Sequence, residues 1–276
     1  MKSKLLPVLL VVISGMLWKP TFSQDQEIGL FLGTAQYQGD LSMGILTISE
    51  TQPSVGAFYR YYLNPWFNFK GNLYVGYISG DDKNFSDESG FRKRRNLRFR
   101  SHVLELSGQI EWNIIPYVNG SENNNISPYV FAGAGVFNFS PKADFNGETY
   151  DLRDLGTEGQ GIEGEGPKYN LIQISIPYGI GLKYSLGKGW NLGLEVGHRI
   201  TFTDYLDDVS TDYPNSDELS EDAANLSDRS NELDQFDEPQ FNEGDGRGNP
   251  DADDLYIFTG FTISKTIRNN QCTGDF

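Results

Sequence analysis

The stretch from Leu171 to Thr203 limits what this chain can fold into more than any other. In LIQISIPYGIGLKYSL, alternate residues from Ile172 to Tyr184 are apolar, and the set between them is Gln173, Ser175, Pro177, Gly179, Gly181 and Lys183. After the tight turn Gly187-Lys188-Gly189 the alternation resumes. Leu192, Leu194, Val196, His198, Ile200 and Phe202 take one face; Asn191, Gly193, Glu195, Gly197, Arg199 and Thr201 take the other. A period of two is that of a β-strand. Strands of soluble proteins run to about 5–6 residues, and these two are much longer. A tilted membrane-spanning strand needs about 9–11. One apolar face and one small or charged face suit a barrel wall, with lipid outside and a crowded polar lumen inside.

The pattern recurs along the chain. Strands are expected at Glu27 to Gln38, Val55 to Tyr62, Phe69 to Ser79, Ser101 to Asn113, Tyr129 to Phe139, the two of the hairpin above, and Leu255 to Ser264. Eight is an allowed even number for an outer-membrane barrel. Connections after the second, fourth and sixth strands are short, and the others are long, which matches short periplasmic turns and long extracellular loops. The expected fold is therefore all-β: an eight-stranded antiparallel transmembrane barrel of the outer membrane. Trp66, Trp112 and Trp190 fall at the short-turn ends, where an interfacial belt belongs. Tyr37, Tyr77, Phe137, Tyr169, Phe202 and Tyr256 fall at the opposite ends and are expected to form a second belt. A soluble ligand-binding barrel would turn the apolar face inward and leave these belts without a reason.

Lys2 and Lys4 precede an apolar run from Leu5 to Trp18, and Thr21 and Ser23 precede Gln24. Residues 1–23 read as a secretory signal peptide, leaving 24–276 as the barrel. The run is too short for a spanning helix. The only cysteine, Cys272, lies in the tail, so no intrachain disulfide forms. The formal charge of −16 is local: Asp204 to Asp254 holds eighteen acids against Arg229 and Arg247, and the rest of the chain is neutral. Nucleic-acid binding has no electrostatic support. That acidic segment, about 204–254, is read as an extracellular loop whose middle, Asn215 to Glu243, has too many like charges to fold alone.

The inward set contains Arg60, Lys70, Lys183 and Arg199 with Glu105, Glu111 and Glu195. Eight strands leave an interior just wide enough for side chains, and charges buried there must pair. An ion-paired plug is favoured over a conduction path. At the outer rim, Phe91 to Arg100 carries six basic residues and no acid. Arg94, Arg95, Arg98 or Arg100 is expected to contact the Asp204 to Asp208 segment, with Asp204, Asp207 and Asp208 as acceptors, or the Asp251 to Asp254 segment. The alternative is that this cluster meets anionic lipopolysaccharide.

Catalysis finds no constellation. His102 and His198 both fall in the apolar register, and no nucleophile is paired with a base. Gly133-Ala134-Gly135 lies within a strand, and Gly187-Lys188-Gly189 lacks the Ser/Thr and helix of a phosphate-binding loop. Asn249, Asp251 and Asp253 have the alternate spacing of a calcium loop, but Asp254 stands where a glycine belongs and the twelfth ligand is absent. A solvated acidic loop is favoured there over calcium, and no cofactor is expected.

Several segments carry a family resemblance: Glu27 to Ser42, Arg95 to Leu106, Pro128 to Ala143, Ile176 to Leu186, Thr203 to Tyr213 and Arg247 to Ser264. Together they resemble PorG, the outer-membrane barrel component of the type IX secretion system of Bacteroidetes. DYLDDVS after the seventh strand and RGNP before the eighth are the distinctive pieces; the acidic insertion from Asn215 to Glu243 is a departure. The resemblance implies a non-enzymatic barrel that meets outer-membrane lipids and helps anchor the periplasmic ring subunits of the secretion machine. The alternative is a general structural barrel or small porin. The Tyr117 to Ile126 turn and the tail from Ile267 to Phe276 are the expected ring contacts.

Overall fold

The computed structural model describes residues 25–42, 48–84, 90–119, 121, 124–162 and 166–267. The expected signal peptide, Cys272 and most of the tail lie outside the described residues. Eight long strands build the wall: β1 (Gln26–Gln38), β2 (Gln52–Tyr62), β3 (Phe67–Asp81), β4 (Arg98–Asn113), β5 (Ile126–Phe145), β7 (Ile172–Gly187), β8 (Trp190–Ile200) and β9 (Leu255–Ile267). Each pairs antiparallel with its neighbour. β1 meets β9 from Gln26↔Ile267 to Gln38↔Leu255, and β4 meets β5, so the sheet closes on itself without an edge. A short strand, β6 (Glu148–Asp151), hairpins onto the far end of β5. Short helices α1 (Phe91–Arg95), α2 (Leu152–Leu155) and α3 (Glu221–Ser227) all lie in the long connections.

Side-chain parity follows the period of two. Ile28, Leu30, Leu32, Val55, Leu73, Val75, Leu104, Leu106, Ile174, Ile180, Leu194 and Phe261 point away from the lumen and are exposed, Leu106 to 66% and Phe261 to 70%. An apolar band of this extent around a whole molecule is foreign to a water-soluble surface. It is what lipid tails cover. Trp66, Trp112 and Trp190 are half exposed at its short-turn rim. The protein is an outer-membrane β-barrel.

The second aromatic belt is smaller than expected. Tyr77 and Phe202 stand outward, but Tyr37, Phe137 and Tyr256 are buried inside, and Tyr169 stacks between Phe139 and Tyr205. Parity explains the first two. Tyr37 has the opposite phase to Ile28 and Leu30, and Phe137 the opposite phase to Val130 and Val136.

The strands also outrun the apolar alternation. β5 continues to Phe145, well past Phe139, because its ladder with β4 and then β6 rises beyond the lipid band. The core lies in this upper half. Phe31, Tyr74, Phe137, Phe139 and Phe258 inside the barrel join Leu41, Leu97, Leu152, Leu206, Val209 and Leu226 from the loops in one cluster. Glycines on the lumen side make room for these rings: a Cβ at Gly56 would come within 2.0 Å of the Tyr74 ring.

Candidate functional site

The interior is filled at three levels. At the short-turn end, Arg60 on β2 bridges Glu27 on β1 (2.6 Å) and Glu111 on β4 (2.8 Å). Lys183 on β7 reaches the same Glu111 from across the lumen at 2.5 Å. In the middle, Lys70 on β3 pairs with Glu195 on β8, whose other contacts are the Tyr74 and Tyr129 hydroxyls. Above them, Arg199 on β8 pairs with Glu105 on β4 at 3.0 Å, and Tyr256 and Ser107 donate to the same carboxylate. Every one of these charged side chains is at most 3% exposed. Most ties join strands that are not neighbours, so they cross the lumen. Aromatic faces fill the gaps: Lys183 Nζ lies 4.3 Å from the Tyr129 ring centre and Arg199 Cζ 4.6 Å from that of Phe258.

Both mouths are covered. Below, the turn between β4 and β5 folds inward. Tyr117 is buried, stacks on Tyr62 and donates to Asn191 on β8, while Asn119 bonds Thr266 on β9. Above, the acidic segment is folded across the opening. Arg95 on α1 is buried. It holds Asp82 through two hydrogen bonds of 2.8 Å and donates to the main-chain carbonyls of Arg247 and Asp40. Arg247 in turn pairs with Glu158 at 2.8 Å and donates to the Asp208 carbonyl. Glu158 also accepts from the Ser210 and Thr211 amides.

The basic cluster therefore meets the acidic loop, but through partners other than those expected. Arg95 takes Asp82, Arg98 takes Glu232 at 3.4 Å, and Arg100 takes Asp144 at 3.2 Å. Arg94 is exposed. Asp207 and Asp208 are buried against hydroxyls, Asp207 by Tyr37, and Asp208 by Thr157 and Tyr169. Among the described residues, neither Asp204 oxygen has a hydrogen-bond partner of ordinary geometry, the Ser210 side chain being its nearest donor. Burial pushes the Asp204 carboxyl up to about 8, and pushes that of Asp208 up to about 6 against the pull of Arg247. Burial likewise raises Asp82 despite its Arg95 partner. Asp251 and Asp253 are exposed and Asp254 is buried, and no group of three or more His, Cys, Asp or Glu among the described residues is arranged to hold a metal ion.

The segment from Asn215 to Glu243 is ordered, contrary to the expectation from its charge. Ser220 caps α3, and Ala223 and Leu226 are buried beneath it. Tyr213 stacks on Phe241 at 4.6 Å. The carboxylate of Asp228 accepts from the Ser230, Gln240 and Phe241 amides. Counting acids as mutually repelling charges missed this second use, as acceptors for otherwise orphaned backbone N–H groups.

Residues 3–275 match the profile of a family described as "Domain of unknown function (DUF6089)". The chain belongs to the DUF6089 family. A search of curated proteins finds no significant match. Among solved structures, this DUF6089 barrel is similar to Ail of Yersinia pestis (10% identity, 89% of this chain and 99% of Ail, TM-score 0.40). It is also similar to Neisserial surface protein A (8%, 90% and 100%, 0.39) and to a major outer membrane protein of Thermus thermophilus (11%, 89% and 100%, 0.39).

One lumen residue of this DUF6089 chain escaped the sequence reading. Glu27 is buried and accepts from Arg60, Tyr62 and Ser264. A signal for it existed. Four inward bases faced only three inward acids, and a dry lumen does not hold an unpaired charge. With Glu27 the described lumen is neutral.

Proposed function

We propose that this barrel is a non-conducting, non-catalytic anchor of the type IX secretion machinery that holds the periplasmic ring subunits at the outer membrane while its wall meets the membrane lipids. The observation that carries the reading is the filled lumen. Among the described residues, three layers of ion pairs and a covered mouth at each end fill the space that an aqueous path for solutes or cargo would need. Such a body offers two faces held rigidly across the membrane rather than a channel. The resemblance of its segments to PorG supplies the machine.

The turn between β4 and β5 is the periplasmic surface best suited to the ring. Its Tyr117 side chain is fixed in the barrel mouth. Ile115 and Val118 stand exposed beside it, each at 43%. A rigidly seated turn with apolar side chains outward loses little conformational entropy on binding.

Deletion of the chain should abolish secretion of type IX cargo and leave small-solute permeability intact; the reverse result favours a small porin. The tagged barrel should retain the ring subunits, and Ile115→Asp with Val118→Asp should release them without altering the heat-modifiable gel migration of the folded barrel.

A further inference from the structure

At the external mouth, the Tyr37 hydroxyl oxygen lies 2.6 Å from Oδ2 of Asp207 and 2.8 Å from Oδ1 of Asp254. All three side chains are buried, Asp254 and Tyr37 to within 1% of full burial. The other oxygen of each carboxyl is already used: Asp207 Oδ1 accepts from the Val209 amide and Asp254 Oδ2 from the Leu206 amide, both at 2.9 Å. A phenol has one proton to donate and lone pairs to accept. It can therefore donate to one of these carboxylates only. Were both ionised, the second would face the phenol oxygen lone pair to lone pair, with no water between them. The contact closes only if one carboxyl is itself an acid and donates to the phenol oxygen.

We propose that Asp207, Tyr37 and Asp254 hold one added proton among them, and that this proton latches the acidic loop onto the mouth of the barrel. The three come from separate parts of the chain: Tyr37 from the end of β1, Asp207 from the segment leaving β8, and Asp254 from the residue entering β9. Their shared proton ties the two roots of the loop to the barrel wall. Gly39 makes the space, since a Cβ there would lie 1.8 Å from Asp254 Oδ1 and 2.1 Å from the Tyr37 hydroxyl.

The surroundings favour the protonated form. Asp40 adds negative charge from β1's loop, and Arg95 on α1 is the cation that opposes it. Arg95 is already committed to Asp82. Burial, then the Asp207 carboxylate, hold Asp254 well above the ordinary range; burial does the same for Asp207 against the pull of the Tyr37 hydrogen bond, with Asp40 adding to it. Loss of the proton places two carboxylates on one hydroxyl, and the loop roots separate.

Infrared spectra of the full chain in lipid vesicles at neutral pH test this. Asp207→Asn and Asp254→Asn each supply a neutral amide that donates to Tyr37, which in turn donates to the remaining carboxylate. Both variants should therefore lose one protonated-carboxyl carbonyl band and neither should lose a carboxylate band. If each variant instead loses a carboxylate band and no acid band, both groups are ionised and the proposal is overturned. Heat-modifiable migration shows that each variant has folded. Should one fail to fold, the other decides alone, with loss of an acid band supporting the latch and loss of a carboxylate band overturning it.

Discussion

Replacing Arg199 by Ala tests the lumen where its tie is simplest. Among the described residues the guanidinium has one ion partner, Glu105, and both side chains are fully buried. It also donates to the Gly197 carbonyl and lies over the rings of Phe258 and Tyr74 at 4.6 and 5.4 Å. Truncation leaves the Glu105 carboxylate in the lumen with only the Tyr256 and Ser107 hydroxyls, each at 2.8 Å. Stranding one member of a buried pair costs about 3–5 kcal/mol. The two surviving hydrogen bonds place this case near the lower end. With a urea slope of about 2 kcal/mol/M, the unfolding midpoint falls by roughly 1.5–2 M. Unfolding from lipid vesicles, followed by tryptophan emission and by heat-modifiable migration, reads the shift directly. Arg100→Ala is the internal control. Its pair with Asp144 is more than half exposed on both sides, and such pairs give about 0–1 kcal/mol. The double variant Arg199→Met with Glu105→Gln should recover most of the loss, because no unpaired charge remains. An unchanged midpoint for Arg199→Ala, or a double variant as unstable as the sum of its parts, would mean that Glu105 is not stranded by the loss of Arg199.

Arg95→Ala should unseat the acidic loop while leaving the barrel folded, since Arg95 alone joins Asp82 to the Arg247 and Asp40 carbonyls; protease cleavage at Arg229 and Arg247 should rise without loss of heat-modifiable migration. The hold on the loop should weaken with rising pH. Asp204 and Asp208 bind protons more tightly folded than unfolded, so their contribution is greatest below about 4, falls as pH rises through about 6 for Asp208 and about 8 for Asp204, and is flat above. Exchange protection of residues 204–213, corrected for the intrinsic pH dependence of exchange, measures it, and protection that grows with pH contradicts the sign. Gly39→Ala should disturb the same region, because the added methyl strikes both Tyr37 and Asp254; an unchanged proteolysis pattern of the loop counts against the packing described.

How much was legible depended on which rule governed the residue. Parity and the strand count came through because lipid and lumen impose opposite demands on successive positions, so Leu194 and Glu195 declare their faces in the sequence alone. The seven charges assigned inward are all buried. Their partners were not legible, since pairing across the lumen depends on strand tilt and stagger. The cap was least legible. Asp207, Asp228 and Glu158 read as surplus charge, whereas each is consumed by hydroxyls, amides or an arginine from a distant segment. Tyr37 and Phe137 show a rule applied too loosely, with position along the strand given weight over phase.

The cross-lumen ties bear on how the barrel is assembled. β1 and β9, the first and last strands, form the closing seam, and Glu27 on β1 receives Ser264 from β9 as well as Arg60 from β2. Until the last strand arrives, the inward charges of β1 to β8 line an open trough and lack their final enclosure. A slip of one residue along the seam would turn Glu27 toward lipid. A slip of two would keep its face but part it from Ser264. The ion pairs thus act as a key for strand register, and only the correctly closed barrel satisfies them all. Insertion should accordingly proceed without a long-lived half-closed form.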